Sequence, residues 1–149
     1  MTVLGNAEQG PPTEPDSYFG SPADRGEATL PGRFVTIAEL PEVNVAKGLL
    51  LQPLLGSGLM VSFARYEPGA EAPLHAHEEE QVFVVVDGEF DVTLGDETRR
   101  LKVGEAAVIP PWVPHRVTAS DDGPATQIDV FCPPREGLLR LLEHQSSEA

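Results

Sequence analysis

The sequence has very little cysteine and no long run of apolar residues. Its single cysteine, Cys132, cannot form a disulfide within the chain, which predicts a reducing compartment. No stretch approaches the roughly 20 apolar residues that a membrane-spanning helix needs. The first ten residues also lack the basic start and apolar core of a signal peptide. We therefore expect a soluble cytoplasmic protein.

Positive charge is scarce as well. The chain has 10 basic residues against 24 acidic ones, which gives a net charge of −14. This charge argues against nucleic acid and anionic membrane as partners, and leaves a small molecule as the expected one. Of the 149 residues, 40% are hydrophobic, which is enough to form the core of a single domain.

The first part of the sequence differs in composition from the rest. Residues 1–32 are rich in proline and glycine and contain few large apolar side chains. Such a segment cannot bury enough surface to fold alone. It is either a flexible tail or an extended arm, anchored by Tyr18, Phe19 and Leu30, that lies on its own domain or on a second subunit. Residues 33–149 are predicted to form one domain.

Short strand patterns separated by glycine and proline turns fill most of that domain, which predicts an all-β sandwich or small barrel. Asp87-Gly88 predicts a hairpin turn between the strands on either side of it. Strands are expected at 34–39, 48–51, 59–67, 82–86, 90–94, 98–102, 106–109, 115–119 and 125–131, and a short terminal helix at 135–143.

The apolar residues 82–86 do not alternate with polar ones, so both faces of this strand need to be covered. One face is expected to point into the barrel. A second subunit is the simplest cover for the other face, which predicts a homodimer. The N-terminal arm is the alternative.

Three histidines and one glutamine have the spacing of a metal site. His75, His77 and Gln81 share one parity, so in an extended chain they point to the same side. His115 begins another strand pattern after a proline-rich turn. Three imidazoles and an amide oxygen predict one divalent first-row metal ion, with Zn, Ni, Mn and Fe all possible.

These residues lie in two longer patterns. The first is Gly69-x5-His75-x-His77-x3-Gln81, and the second is Gly104-x5-Pro110-x4-His115. Over about residues 34–135, this arrangement resembles the two motifs of the cupin superfamily. The resemblance implies a double-stranded β-helix, or jelly-roll barrel, with a metal ion in its mouth.

Two positions depart from the cupin pattern. Gln81 stands where cupins usually have a glutamate ligand, and a neutral amide leaves more positive charge on the metal. That favours Lewis-acid chemistry over oxygen activation. Glu79, which has the same parity, or Glu80 is the alternative ligand. Trp112 replaces a usual glycine and is either a packed rim residue or a wall for the substrate.

The last strand carries Asp129, Phe131 and Arg135, with two prolines before the arginine. On sequence alone this can be a strand end held by an ion pair. With the metal pattern, it resembles the small cupins that open unsaturated monouronates, and it is similar to those that cyclise polyketides. The resemblance implies an acid/base role for Asp129 and carboxylate binding by Arg135, with Phe131 beside them.

The expected function is a non-redox enzyme of the isomerase, lyase or cyclase type, acting on a small carboxylate- or carbonyl-bearing substrate. The alternatives are an iron- or manganese-dependent dioxygenase and a non-catalytic cupin that binds a metal or a ligand.

Overall fold

The computed structural model describes residues 18–20, 23 and 25–147. The chain divides into two units, one ending at Phe34 and the other beginning at Val35. In the first unit, the rings of Tyr18 and Phe19 meet edge to face with centroids 4.8 Å apart. Both side chains are exposed, as is Leu30. Much of the predicted arm, residues 1–17, lies outside the described residues, and an anchoring role stays a prediction.

The second unit consists of short strands with one α-helix at the C-terminal end, after a single 3-10 turn at Ile37–Glu39. The strands are β1 (Val43–Ala46), β2 (Leu49–Leu55), β3 (Met60–Tyr66), β4 (Glu71–His75), β5 (Glu80–Asp87), β6 (Glu89–Leu94), β7 (Glu97–Lys102), β8 (Ala106–Ile109), β9 (His115–Ala119) and β10 (Ala125–Cys132), and the helix is α1 (Glu136–Ser147). Within the described residues, no helix is both long enough and apolar enough to cross a bilayer.

The strands form two antiparallel sheets. The larger has the order β1-β2-β3-β10-β5-β8, and the smaller has the order β4-β9-β6-β7. The predicted all-β architecture with a short C-terminal helix is confirmed. Among the described strands, three pairs are local hairpins (β1-β2, β2-β3 and β6-β7), whereas the other five join strands that are not consecutive in sequence.

The apolar core lies between the sheets and gives way to polar residues at one end. Phe90 packs edge to face on Phe83 and Tyr66, with centroids 5.3 and 5.1 Å apart. Burying each of these rings contributes about 1.5–3 kcal/mol to folding. Along β5 the inward-facing residue changes from Gln81 to Phe83 and then to Val85. The inward side of β5 is therefore polar near its first residues and apolar along the rest of the strand.

The hairpin predicted at Asp87-Gly88 is wrong. β5 pairs with β10 and β8, whereas β6 pairs with β7 and β9, so this turn carries the chain from one sheet to the other. Gly88 has a φ of +71°, and a Cβ there would lie 2.6 Å from the carbonyl oxygen of Pro124. The glycine is needed for that close approach rather than for a hairpin.

The strand predicted at 34–39 is also wrong. Phe34 and Ile37 remain exposed, so this apolar stretch does not pack as a strand of the core. The side-chain amide of Gln52 donates to the carbonyl oxygens of Ile37 and Leu40, both at 3.1 Å, and fixes the stretch as a turn.

The sequence patterns did not predict β4 and predicted only part of β2, and both strands contain proline. β4 contains Pro73 and lies at the edge of its sheet, where a missing N–H is tolerated. β2 continues through Pro53, which lies beyond the part of β2 that pairs with β1. Proline excludes a residue from a strand only where its N–H would face a partner.

The outward face of β5 is partly exposed in the single chain. Val82 and Val84 are partly buried, but Val86 is 44% exposed. On the neighbouring edge strand, Val108 lies opposite Val82 and is 60% exposed. The expectation that a second subunit covers this face stays a prediction.

Candidate metal centre

Two paired strands, and the loop after the first of them, bring the three predicted histidines together. His75 is the last residue of β4 and His115 is the first residue of β9, and the two are direct cross-strand partners. Their ring centroids are 4.2 Å apart, and His77 lies 4.8 Å from His115 on the same measure. One ligand atom from each histidine lies within 4.8 Å of the other two, so a single ion can contact all three.

Hydrogen bonds to the backbone set the orientation of all three rings. Each Nδ1 lies close to a main-chain carbonyl oxygen: 2.6 Å for His75, 2.9 Å for His77 and 2.9 Å for His115. A carbonyl only accepts, so each Nδ1 must carry the hydrogen. In a neutral ring the lone pair is then on Nε2. Such bonds commonly fix the tautomer of metal-binding histidines.

The environment of two rings favours the neutral, ligating form. Burial lowers the pKa of His115 to about 4, and burial, followed by the charge of Arg135, lowers the pKa of His77. His115 is 1% exposed, and its Nε2 has no hydrogen-bond partner among the described residues. A buried lone pair without a donor is unfavourable, and a cation would satisfy it.

Gln81, the second residue of β5, directs its amide oxygen towards the histidines. Its Oε1 lies 3.1 Å from Nε2 of His77, and its Nε2 donates to Oδ1 of Asp129 at 2.7 Å. In the neutral tautomer of His77, both the ring nitrogen and the amide oxygen are acceptors, so a positive charge between them would stabilise the pair. The donor set of three imidazoles and one amide oxygen fits a first-row divalent ion.

The carboxylate of Glu79 has other partners. Its Oε1 accepts a hydrogen bond at 2.8 Å from the backbone N–H of Glu136, the first residue of α1, and lies 3.5 Å from Nη1 of Arg135. Burial alone would raise the pKa of Glu79, but that hydrogen bond and Arg135 hold it below its usual value. Its Oε2 lies 3.7 Å from Nδ1 of His77, whereas the Gln81 oxygen lies near Nε2, the other nitrogen of the same ring. Glu80 is exposed.

Asp129 is buried in the middle of β10, next to the histidine cluster. It is 5% exposed, and its two oxygens accept hydrogen bonds from the amides of Gln81 and Gln127, at 2.7 and 2.6 Å. Burial raises its pKa to about 6, although both hydrogen bonds oppose this. Burial and the Asp129 charge also raise the pKa of Tyr66. A carboxyl group that titrates near neutrality can both give and accept a proton.

Arg135 does not pair with Asp129. Its Nη1 lies 3.5 Å from Glu79, and its side chain is 28% exposed. The alternative of a strand end held by an Asp129–Arg135 ion pair is therefore not observed. Phe131 is buried, packs edge to face on His77 with centroids 5.8 Å apart, and contacts the core around Leu138 of α1.

The three histidines, Gln81 and the residues of interest on β10 and at Arg135 line one cavity of about 340 Å³ in the barrel mouth. A volume of this size suits a small organic molecule. Most of the wall is apolar and includes Leu49, Val117 and Leu138. The polar residues of the wall are Tyr66, His75, His77, Gln81, His115, Gln127, Asp129 and Arg135.

Trp112 has a left-handed backbone conformation, which glycine adopts more readily than other residues. Its φ is +66°, and its N–H donates to the carbonyl oxygen of His77 at 2.8 Å. The side chain is 63% exposed, so a packed rim residue is not observed. It lines a smaller cleft of about 250 Å³ beside Arg135, not the central cavity.

Sequence reasoning missed two polar residues of the cavity, Gln127 and Tyr66. Gln127 has the same parity as Asp129 and Phe131, and β10 alternates buried and partly buried residues along that stretch. A second polar residue at an inward position of a buried strand was the signal that could have identified it. Tyr66 ends β3 and gives no comparable signal.

Comparison with known proteins places these features in a family. The family model described as a cupin domain matches residues 62–131, which contain the three histidines and Gln81. An RmlC-like cupin from Shewanella frigidimarina is 30% identical with a TM-score of 0.66, and the match covers 72% of this chain and 96% of that one. KdgF from a Halomonas species is 31% identical with a TM-score of 0.67, covering 72% and 99%.

Two further relatives are more distant or only partly matched. The polyketide cyclase RemF from Streptomyces resistomycificus is 21% identical, with a TM-score of 0.62 over 68% of this chain and 79% of its own, which shows a similar fold alone. The H2HPP isomerase of Bacillus subtilis is 39% identical over 64 residues, 42% of this chain. This match spans 27% of that relative's length.

Proposed function

The chain belongs to the cupin superfamily, and from this we propose that it is a metal-dependent enzyme that isomerises, ring-opens or cyclises a small substrate without redox chemistry. The observation that carries the proposal is the position of Asp129. This buried carboxyl group accepts a hydrogen bond from the amide of Gln81, whose oxygen lies 3.1 Å from Nε2 of His77, and all three residues line one cavity with His75 and His115.

His75, His77, His115 and the amide oxygen of Gln81 would hold the metal. When bound to four neutral donors, a divalent ion would act as a Lewis acid that polarises a substrate oxygen. The geometry supports these four over a set that includes Glu79, because the Glu79 carboxylate is already bound by the N-terminus of α1 and by Arg135.

Asp129 would move the proton. It is buried, and its two amide partners fix the position of both oxygens. Isomerisation, ring opening and cyclisation each need a proton to be removed from one atom and returned to another. A single carboxyl group with a pKa of about 6 is suited to both steps.

Arg135 would bind the anionic group of the substrate. One of its amino groups lies near Glu79, and its other donors have no acceptor among the described residues, so they can bind a carboxylate. Because the chain has a net charge of −14, an anionic substrate needs such a local cation for binding. Unsaturated monouronates are the first substrates to test, followed by small keto acids and polyketide mimics.

The test combines metal analysis with an assay. The protein as purified is analysed for Zn, Ni, Mn and Fe, and is then given unsaturated monouronates while loss of the alkene absorbance is recorded. The assay is run in air and without oxygen. We expect equal rates in both, whereas a rate that requires oxygen would establish the dioxygenase alternative. A metal-loaded protein that binds but converts none of the panel would be a non-catalytic cupin.

The protein would act as a homodimer. The outward valines of β5 and the exposed Val108 of β8 lie side by side on one face of the larger sheet. An apolar face of this kind is commonly covered by a second subunit.

A further inference from the structure

Gln127 has a buried side-chain oxygen without a partner. The residue lies on β10, opposite Val85 of β5, and is 3% exposed. It lines the central cavity, and its Oε1 has no hydrogen-bond partner among the described residues. Since a buried carbonyl oxygen without a donor is unfavourable, its presence in a cavity wall calls for a ligand that supplies one.

Asp129 determines which way this amide points. The carboxylate only accepts hydrogen bonds, so each of its two glutamine partners must present an NH₂ group to it. Turning the Gln127 amide over would place two oxygens 2.6 Å apart. The same carboxylate therefore directs the oxygen of Gln81 towards the histidines and leaves the oxygen of Gln127 without a protein donor.

We propose that Oε1 of Gln127 accepts a hydrogen bond from a hydroxyl group of the substrate, and so selects hydroxylated acids, such as sugar acids, over acids that lack this hydroxyl. The inference rests on the proposed function, because it takes the central cavity as the substrate site. Gln127 and Asp129 are hydrogen-bonded to each other, so the recognised hydroxyl would lie near the carboxyl group that is proposed to move a proton.

The chemistry of the cavity supports a hydroxyl over other donors. An ammonium group on the ligand would share the cavity with Arg135 and with the proposed metal ion, both of which would repel it. A neutral hydroxyl avoids that repulsion, and it can accept a second hydrogen bond while it donates to Gln127. Polyhydroxylated acids also carry the carboxylate that Arg135 is proposed to bind.

The experiment measures the binding of matched ligands to the full-length, metal-loaded protein by calorimetry. Two sets of probes are used: D-galacturonate with its single-deoxy analogues, and L-malate with succinate. In each pair, the deoxy member lacks one hydroxyl of its partner. In the unmodified protein we expect the hydroxylated member to bind about 10- to 100-fold more tightly than one deoxy partner. In Gln127→Met, which keeps the chain length but removes the amide, this ratio should fall to about 1.

The ratio separates recognition from structural damage. Losing the hydrogen bond to Asp129 would weaken both members of a pair alike, whereas losing the hydroxyl contact weakens only one. Gln127→Asn, which shortens the side chain, is the second variant should Gln127→Met not fold. Thr126→Val, on the same strand but facing the other way, is the control and should keep the ratio.

Two results would overturn the inference: a ratio that is unchanged in the Gln127 variants, or no binding of any hydroxylated acid by the loaded protein. A buried water molecule as the partner of Oε1 would give the first result. Failure of the proposed function is read separately, as absence of turnover in the unsaturated uronate assay, and does not alter these binding ratios.

Discussion

The side-chain amide of Gln81 donates a hydrogen bond to Oδ1 of Asp129 at 2.7 Å, which joins the proposed metal donor to the proposed proton-transfer group. The bond requires the amide nitrogen to face the carboxylate, and this leaves the amide oxygen 3.1 Å from Nε2 of His77. The two residues therefore work as a unit, and a change at either one should alter both metal binding and proton transfer.

Gln81→Glu tests this relationship directly. The substitution replaces a hydrogen-bond donor to Asp129 with a second carboxylate, so we expect the metal-free protein to lose about 1–3 kcal/mol of stability. A bound divalent ion should restore much of that loss, because it neutralises the added charge. Turnover should fall, since an anionic ligand weakens the Lewis acidity of the metal. Urea unfolding with and without Zn²⁺ measures the first two effects.

Ser57→Glu, in the exposed turn between β2 and β3, adds a negative charge away from the site and is the control. If Gln81→Glu unfolds at the same urea concentration as Ser57→Glu in the absence of metal and is as active as the parent, the amide is incidental to the site.

His115→Ala should remove most of the bound metal. The ring supplies one of four proposed donors, and its Nε2 is buried without another partner. We expect metal affinity to fall by at least about tenfold, because even the loss of an outer-shell partner has an effect of that size. Elemental analysis of the purified variant measures it. His144→Ala, an exposed histidine of α1, should retain the parental metal content. Unchanged metal in both His115→Ala and His75→Ala would rule out the site.

Glu79→Gln separates the two possible ligand sets. The amide oxygen can still accept the hydrogen bond from Glu136, but the negative charge at the N-terminus of α1 and beside Arg135 is lost. We expect a stability loss of about 0.5–2 kcal/mol with the metal content unchanged. Chemical denaturation and elemental analysis measure the two quantities. Loss of metal as large as that in His115→Ala would make Glu79 the ligand instead of Gln81.

The site could be predicted where it depends on local geometry. His75, His77 and Gln81 lie within seven residues, which keeps them close in space. They do not share one strand, because His75 ends β4, His77 lies in the loop that follows, and Gln81 is in β5 of the other sheet. Asp129 could be placed near them from the resemblance, and the strand around it follows a clear alternation of buried residues. The all-β class follows from frequent turn signals.

The rest depends on contacts between distant parts of the chain. Glu79 and Arg135 are separated by 56 positions in the sequence, and their pairing follows from the docking of α1 over the barrel mouth. Gln127 became part of the site only because β5 and β10 are neighbours in the larger sheet. Asp87-Gly88 has the local features of a hairpin turn, but the pairing of β5 with β8 and β10 overrides them.

Val108→Lys tests the proposed homodimer. The side chain is 60% exposed in the single chain, so lysine should not disturb the fold, but it would place a charge in an apolar interface. We expect sedimentation to show a dimer for the parent and a shift towards monomer for the variant. Val103→Lys is the control, because Val103 is equally exposed and lies in the turn between β7 and β8.

A chain without residues 1–28 distinguishes the two covers for the outward face of β5. A dimer that persists in this shortened chain places the second subunit on the valines. Monomers in both the full and the shortened chain, with no binding of a dye that detects exposed apolar surface, would contradict both alternatives.

Asp129→Asn tests the proton-transfer group. Asparagine cannot exchange a proton, so turnover should fall about 10²–10⁴-fold if Asp129 is the acid or base. The substitution also has a second effect that the structure makes explicit. Asparagine offers one acceptor and one NH₂ group, so it can no longer receive hydrogen bonds from both Gln81 and Gln127 in their present orientations.

Metal content distinguishes these two effects of the Asp129→Asn substitution. A large loss of rate with full metal content would assign proton transfer to Asp129. Equal losses of rate and metal would mean that Asp129 acts chiefly by orienting the Gln81 oxygen. Arg135→Lys is the companion variant: it keeps the charge but loses the two-pronged geometry, so it should raise the KM for a carboxylate substrate more than it lowers kcat. Full activity in Asp129→Asn would exclude this residue as the acid or base, and would require another proton-transfer group in the same cavity.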